Sequence, residues 1–542
     1  MKTFLLTAIL LLLLLSAVQG QQSAADANEA TLLLESSNFA GNEPLRISGL
    51  FFETAQGRTV LPAQITKDGK RIKSKAWRGE VRLPDGRQVT ANVVPQGKNF
   101  MLRLTAQPAT GIIKWGLLID ARADEYYTGL MERVVDGPQA ASWAPGRSEA
   151  LNLRGQRVEM IVKPTTSIYA PFYISSRGYA VFVQGQMEKE ALGKGYGLAG
   201  QKRPANGYNY PTIDLTNPAA KSFWQSGVAK LLQLGVAAFK LDRGEEDMPD
   251  DGPFKVFDGR SIRENRNAYV AMYVKATYEI AAKFRGQDFV LMPRGAYTGS
   301  SPYGVFWGGD IGGTQEGLRA SIIAVQRAAI MGYPNWGSDT CGYNQQLLEQ
   351  EVCGRWLGFS AFTPIMEVGP TRNVAFWNLP REPAYDTELI AIWRLYARLH
   401  QRLIDYNFKY AQEANRTGMP IVRPLFLVEP GAPAAWANWW TYLYGSDILV
   451  SPIWEKGKRT QQVYLPAGSS WRDAWAGKVY QGGQTVTVNA ELHQIPLFIR
   501  SGSKVNVGDL NQEWRESHAI AEQKPNLKEL DAELKRSQNR ER

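Results

Sequence analysis

"GVAAFKLDRGEEDMPDDG", residues 235–252, joins two textures that do not belong together. Gly235 to Leu241 is a short apolar run opened by glycine, the pattern of a buried strand. From Asp242 onward six carboxylates fall within ten residues. Like charges packed that closely repel and cost folding energy. Any strand must leave a core through polar residues, and for one strand alone that is the simpler account. The account weakens when the same ending recurs.

It does recur. "FVLMP" ends at Arg294 and Tyr297, "YGVFWGGD" at Asp310, and "YPNWGSD" at Asp339. Between these runs lie long amphipathic stretches such as "RENRNAYVAMYVKATYEIAAKF" and "QEGLRASIIAVQRAAIMG". Strands alternating with helices predict βα units and a parallel sheet, open or closed. In a parallel barrel the strand ends share one face, and such folds carry their sites there. Four polar endings, three with Asp and one with Arg, favour a site over chance.

The flanks read differently. Residues 30–186 show short alternating apolar segments broken by Gly, Pro and Asn, and predict an N-terminal β-sandwich. Residues 190–405 carry the βα rhythm of a (β/α)8-type barrel. Residues 415–505 return to β with "PIVRPLFLV", "DILVSPIW" and "QIPLFIRSG", predicting a C-terminal antiparallel β domain. Residues 512–542 form a polar, charged tail, read as disordered or a loose helix. The expected fold class is therefore multidomain, α/β plus β, which suits 542 residues. The start, "MKTFLLTAILLLLLLSAVQGQQ", reads as a signal peptide of residues 1–20 and predicts a secreted or periplasmic protein, or one in the secretory lumen. No later run is long enough to span a membrane.

Composition narrows the function. The net charge of +10 is scattered except in the tail, and no nucleic-acid motif accompanies it, so nucleic acid is not expected as a partner. The chain holds 16 Trp, 23 Tyr and 20 Phe, which serve packing and can also offer sugar-stacking faces. Cys341 and Cys353 allow one bridge or two buried free thiols. With three dispersed His, no metal site and no cofactor are expected. "NRT" at Asn415 is a lone glycosylation sequon.

Two carboxylates across a pocket are what glycoside hydrolysis needs: one attacks the anomeric carbon, the other protonates the leaving oxygen. Asp242 and Asp310 stand on neighbouring strand ends. A nearby arginine such as Arg294 favours an ionised carboxylate, and apolar neighbours such as Phe306 and Trp307 favour a protonated one.

The same segments resemble glycoside hydrolase family 31, the retaining α-glucosidase and α-xylosidase family. "FKLDRGEED" is similar to its nucleophile motif, and "RGAYTGSSPYGVFWGGDIGGT" to its acid/base segment. "GYPNWGSDTCGY" and "RWLGFSAFTPIME" are similar to its later barrel strands. "APFYISSRGYAVFV" resembles its N-terminal β domain, and "GMPIVRPLF" with "YGSDILVSPIWEKGKRTQQVYLPAG" its C-terminal one. The resemblance runs in order over most of residues 120–505. It implies Asp242 as nucleophile and Asp310 as general acid/base. It implies Lys240, Arg294, Trp307 and Asp339 as contacts of the −1 sugar, with an oligosaccharide or glycoside as substrate. Glu245 matches a motif Glu of structural character.

Three departures stand out. Only residues 186–234 separate "YAVFVQG" from the strand of Asp242, whereas three βα units need roughly 30 residues each. The barrel is thus expected to lack its first strands, through an incomplete gene model, a deletion, or closure by other means. The family's His after "FTP" is replaced by the run Glu367, Val368, Gly369, Pro370, and Arg243 replaces an aromatic or small residue. Three readings stand at this point: an exo-acting retaining α-glycoside hydrolase, a catalytically impaired carbohydrate-binding relative, and a transglycosidase. The oligomeric state is not readable from the sequence.

Overall fold

The computed structural model describes residues 4–11, 46–62, 77–83, 85–96, 99–107, 111–132, 151–155, 168–184, 213–242, 244, 255–343, 349–368, 386–523 and 536. Arg243, Glu245, Glu246, Gly369 and Pro370 lie outside them. The chain divides into two compact units. One comprises Met1–Gly309, Gln326–Tyr333 and Pro424–Trp439; the other comprises Asp310–Val325, Pro334–Arg423 and Trp440–Arg542.

The first unit opens with two antiparallel sheets. The larger runs in the order Trp77–Arg82, Gln88–Gln96, Asn99–Gln107, Phe4–Leu11, Ala180–Gln184, Tyr169–Ser175, Tyr127–Met131. The smaller places Arg46–Thr54 between Gly57–Pro62 and Ile112–Asp120. Leu102, Leu104 and Ala106 are buried while Met101, Arg103 and Thr105 between them are half-buried, the period-two pattern of a one-sided strand. Phe4–Leu11 is the strand between Asn99–Gln107 and Ala180–Gln184.

The βα rhythm follows within the same unit. Helix Pro218–Gln233 starts where the Asn217 side chain accepts from Ala219 N–H at 2.9 Å and proline takes the first helical position. Helix Ile262–Arg285 buries Val270, Val274, Thr277 and Ala281, a stripe at spacings of four and three. Val228 and Leu232 meet Ala281 in a small core that Phe239 and Phe289 complete. A second cluster joins Met131, Leu153 and Tyr169 of the β region to Val270. Strands Ala238–Leu241 and Val290–Pro293 pair in parallel, with Leu241 opposite Pro293. The strands of the barrel region lie in two-stranded sheets, and no closed barrel forms among the described residues. This agrees with the short interval before Asp242.

In the second unit, strand Asp339–Thr340 pairs in parallel with Glu367–Val368. Helix Gln350–Ser360 is buried at every position from Val352 to Ser360. From within it, Arg355 donates to the carbonyls of Lys458, Ala490, Glu491 and Gln494 at 2.8–3.2 Å. The C-terminal β domain is a sheet in the order Val422–Pro424, Tyr442–Tyr444, Ile448–Val450, Leu497–Arg500, Ser470–Asp473, Val479–Gln481, with a separate antiparallel pair Thr460–Leu465 and Gln484–Asn489. The polar tail begins as a helix, Leu510–Glu522, capped by Asp509 and packed on Thr387–Arg402, with Arg402 paired to Glu513 at 2.8 Å. No described helix is long and apolar enough to cross a membrane.

Candidate active site

Parallel pairing sets Asp242 and Arg294 side by side, because each follows the last paired residue of its strand. Arg294 N–H donates to Leu241 O at 2.9 Å, fixing the two ends against each other. The Arg294 guanidinium then reaches Asp242 Oδ1 at 2.9 Å. The arginine is buried, at 3% exposure, while the Asp242 side chain is 57% exposed. The carboxylate thus rests on a cation below and presents itself outward. Beyond it the chain turns through Gly244 at φ +91°, where a Cβ would come within 3.1 Å of the Tyr273 ring, so glycine is required there.

Lys240, two residues earlier, projects to the same face as Asp242. Its Nζ lies 4.4 Å from the centre of the buried Trp307 ring. Trp307 is brought there by Val305 N–H, which donates to Leu291 O at 2.9 Å. Below, Tyr333 donates to Tyr297 O at 2.7 Å and stacks edge-on against Phe306. Burial pushes the Tyr297 phenol up, partly offset by its bond with Asn267. Four sequence candidates, Lys240, Asp242, Arg294 and Trp307, therefore meet in the first unit.

The other two lie in the second unit. Asp310 is half-buried at a bend between strand and helix. Asp339 is buried, and its register partner is Glu367, which sets the two carboxylates on one face. The run that replaces the family's His thus opens with an acid beside Asp339. Cys341 and Cys353 form a disulfide, so of the two alternatives for the thiols the bridge is realised. Trp356 Nε1 donates to Ser338 Oγ at 2.9 Å, and Thr340 Oγ1 donates to Ser360 Oγ at 2.9 Å. These ties behind Asp339, and the anchoring role of Arg355, were not foreseen. Among the described residues no group of His, Cys, Asp or Glu could hold a metal ion.

Residues 143–410 match the model of the glycosyl hydrolases family 31 TIM-barrel domain, and residues 418–505 that of the family 31 C-terminal domain. The chain belongs to glycoside hydrolase family 31. Family 31 relatives include an isomaltosyltransferase of Sporosarcina globispora, 27% identical over 68% of this chain and 34% of its own length. A 1,3-alpha-isomaltosidase of Kribbella flavida is 31% identical over 53% of this chain and 40% of its own. An alpha-xylosidase of Saccharolobus solfataricus is 31% identical over 54% and 41%. The matched region thus spans well under half of each of these relatives. Among solved structures, a family 31 sulfoquinovosidase from E. rectale in complex with an aza-sugar inhibitor covers 92% of this chain and all of its own, with a TM-score of 0.63 at 17% identity. A cycloalternan-degrading enzyme from Trueperella pyogenes, in complex with a covalent intermediate, covers 85% and 94% with a TM-score of 0.59 at 17% identity. At these identities the likeness concerns the family 31 fold.

Proposed function

We propose that this chain is an exo-acting, retaining α-glycoside hydrolase that works by double displacement. The observation that carries the reading is the Asp242–Arg294 pair, with Lys240 over Trp307 beside it, inside a family 31 motif. Asp242 attacks the anomeric carbon and Arg294 holds its carboxylate in line. Asp310 protonates the departing glycosidic oxygen, then takes a proton from the water that releases the sugar. Lys240, Trp307 and Asp339 orient the sugar. The covalent intermediate named for the Trueperella pyogenes enzyme supports the two-step course. Residues 1–20 support export, and the substrate is an α-linked glycoside or oligosaccharide.

Aryl α-glucosides and α-xylosides test this directly. The full chain hydrolyses at least one, and Asp242→Ala loses on the order of 10⁶-fold in kcat, as removal of a nucleophile does. A fluorinated glycosyl fluoride that arrests the second step attaches to Asp242 and to no other residue by mass spectrometry. Turnover that survives Asp242→Ala sinks the assignment.

A second reading has its own support. Strand Ala238–Leu241 has a single strand partner among the described residues, and Asp242 is largely exposed. A chain of this kind binds saccharide without turning it over. Calorimetric binding of maltotriose with no hydrolysis at high protein concentration selects that reading. The name of the Sporosarcina globispora relative supports transfer to a sugar acceptor, which product analysis at high acceptor concentration separates from hydrolysis.

A further inference from the structure

No step above uses the Cys341–Cys353 bridge, yet its surroundings lead toward Asp310. Cys341 sits at φ +71°, a left-handed conformation that a residue with a side chain adopts at a cost. Gly342 follows at φ +78°, and its N–H donates to Asp339 O at 2.8 Å. Tyr343 N–H then donates to Ile311 O at 2.7 Å. Gly342 lies against the backbone of Gly312 and Gly313: a Cβ there would fall 2.8 Å from the Gly312 carbonyl carbon and 2.5 Å from the Gly313 nitrogen.

Ile311, Gly312 and Gly313 are the whole of the chain between Asp310 and Thr314. Thr314 caps the next helix, accepting from Gly317 N–H at 3.1 Å. Two glycines in a row have no side chains to hold their own path. Their path is met by the Thr314 cap and the Thr314 N–H bond to Gly312 O at 2.8 Å on one side, and by the turn 341–343 on the other. The turn is tied to helix Gln350–Ser360 by the bridge, while the two hydrogen bonds from that helix reach only Ser338 and Thr340. The bridge is the tie that meets the turn itself.

We propose that the Cys341–Cys353 bridge is a positioning element for the acid/base Asp310, acting through the contact of Gly342 and Tyr343 with residues 311–313. The inference rests on the acid/base reading of Asp310. Without the bridge Cys341 relaxes from its left-handed conformation, and the turn withdraws from the glycines. Asp310 then loses its register with the leaving oxygen, which proton transfer requires within roughly 3 Å. The loss therefore grows with the leaving group's need for a proton.

The test uses a Cys341→Ala/Cys353→Ala double variant and, with the bridge intact, Gly342→Ala. Both are assayed on 4-methoxyphenyl and 2,4-dinitrophenyl α-glucosides, and amide hydrogen exchange is followed. We expect kcat/KM to fall on the order of 10²-fold for the methoxyphenyl glycoside and to stay within about threefold for the dinitrophenyl one, whose phenolate departs unprotonated. The Tyr343 amide exchanges faster in both variants, while Leu357–Ser360 stay protected. Equal losses on the two glycosides, or no loss on either, overturn the inference and show an ordinary staple. If the double variant does not fold, Gly342→Ala decides alone by the same ratio. If the unmodified chain hydrolyses neither glycoside, the proposed activity fails instead. The exchange arm then still judges the clamp, which is refuted by unchanged protection at Tyr343.

Discussion

Asp242 follows the short parallel strand Ala238–Leu241, Asp339 opens another, Asp339–Thr340, and the two are held in different ways. Asp242 stands largely in solvent on a strand whose Ala238 and Lys240 are also exposed. A deep cation, Arg294, reaches it at 2.9 Å. Asp339 is 1% exposed and sits on a segment joined to a buried helix by two hydrogen bonds and a disulfide. The difference follows from the neighbours. Ala238–Leu241 has one strand partner, and helix Pro218–Gln233 behind it leaves Phe223 and Leu231 exposed. Asp339 backs onto a helix with no exposed face from Val352 to Ser360. A carboxylate on a thinly covered strand is held by electrostatics; one inside a packed layer is held by its surroundings. The first hold includes a close ion pair that a single substitution removes. The second is spread over many contacts.

Arg294→Met is the sharpest way to break this contrast. Methionine fills similar space without the charge. The exposed carboxylate of Asp242 remains hydrated, so folding changes little, because an ion pair with one partner in solvent contributes little to stability. Catalysis depends on the carboxylate's position, and kcat falls on the order of 10²-fold. Steady-state kinetics and a thermal melt on one preparation check both halves. A melting point lowered by many degrees with kcat unchanged would show that Arg294 is structural, and that the two regions are held alike.

Arg355→Met attacks the other side. The guanidinium serves four carbonyls from inside a buried helix, and burial, with the nearby Arg459 charge, pulls its pKa down to about 10. The substitution leaves those acceptors without their donor and costs about 3–5 kcal/mol. Urea unfolding measures this. The surviving folded fraction keeps its kinetic constants within a few-fold, because Asp339 is held by more than one contact. A selective loss of kcat without loss of stability would show the spread hold to be local after all.

The order of domains was legible in the sequence because period-two and period-3.6 patterns survive in single segments. The pairing of Asp242 with Arg294 was legible because parallel register places consecutive strand ends together. The ties behind Asp339 were not. Ser338, Thr340, Trp356 and Ser360 are ordinary residues whose meeting depends on a helix folding back over a strand, and no local pattern encodes that. Cys341 and Cys353 left bridge and thiols equally open, since twelve positions of separation say nothing of distance. Of the two readings of the tail, disorder or a loose helix, its described start is a helix. Leu510–Glu522 is polar overall, yet it buries Leu510, Ser517 and Ala521 on a helix partner that composition does not reveal.

The smallest expected effect asks whether the packed side responds to pH. His493 lies face to face with Trp514, ring centres 4.0 Å apart, with Trp475 edge-on at 5.6 Å. Burial first, then the charges of Arg355 and His518, lower its pKa from 6.5 to about 4. The sign follows from proton counting. Between about pH 6.5 and pH 4 the unfolded chain carries a proton on this ring that the folded chain refuses, so stability falls as the pH drops through that window and levels off below it. A shift of this size corresponds to at most about 3 kcal/mol, reduced by the ring's partial exposure. His493→Phe keeps the ring stack and the backbone carbonyl that accepts from Tyr396 at 2.6 Å, and removes the titration. Thermal melts from pH 4 to pH 7 should therefore be flatter for the variant than for the parent chain. Parallel profiles would place the acid sensitivity elsewhere, and would leave the packed side of the comparison without a titrating weak point.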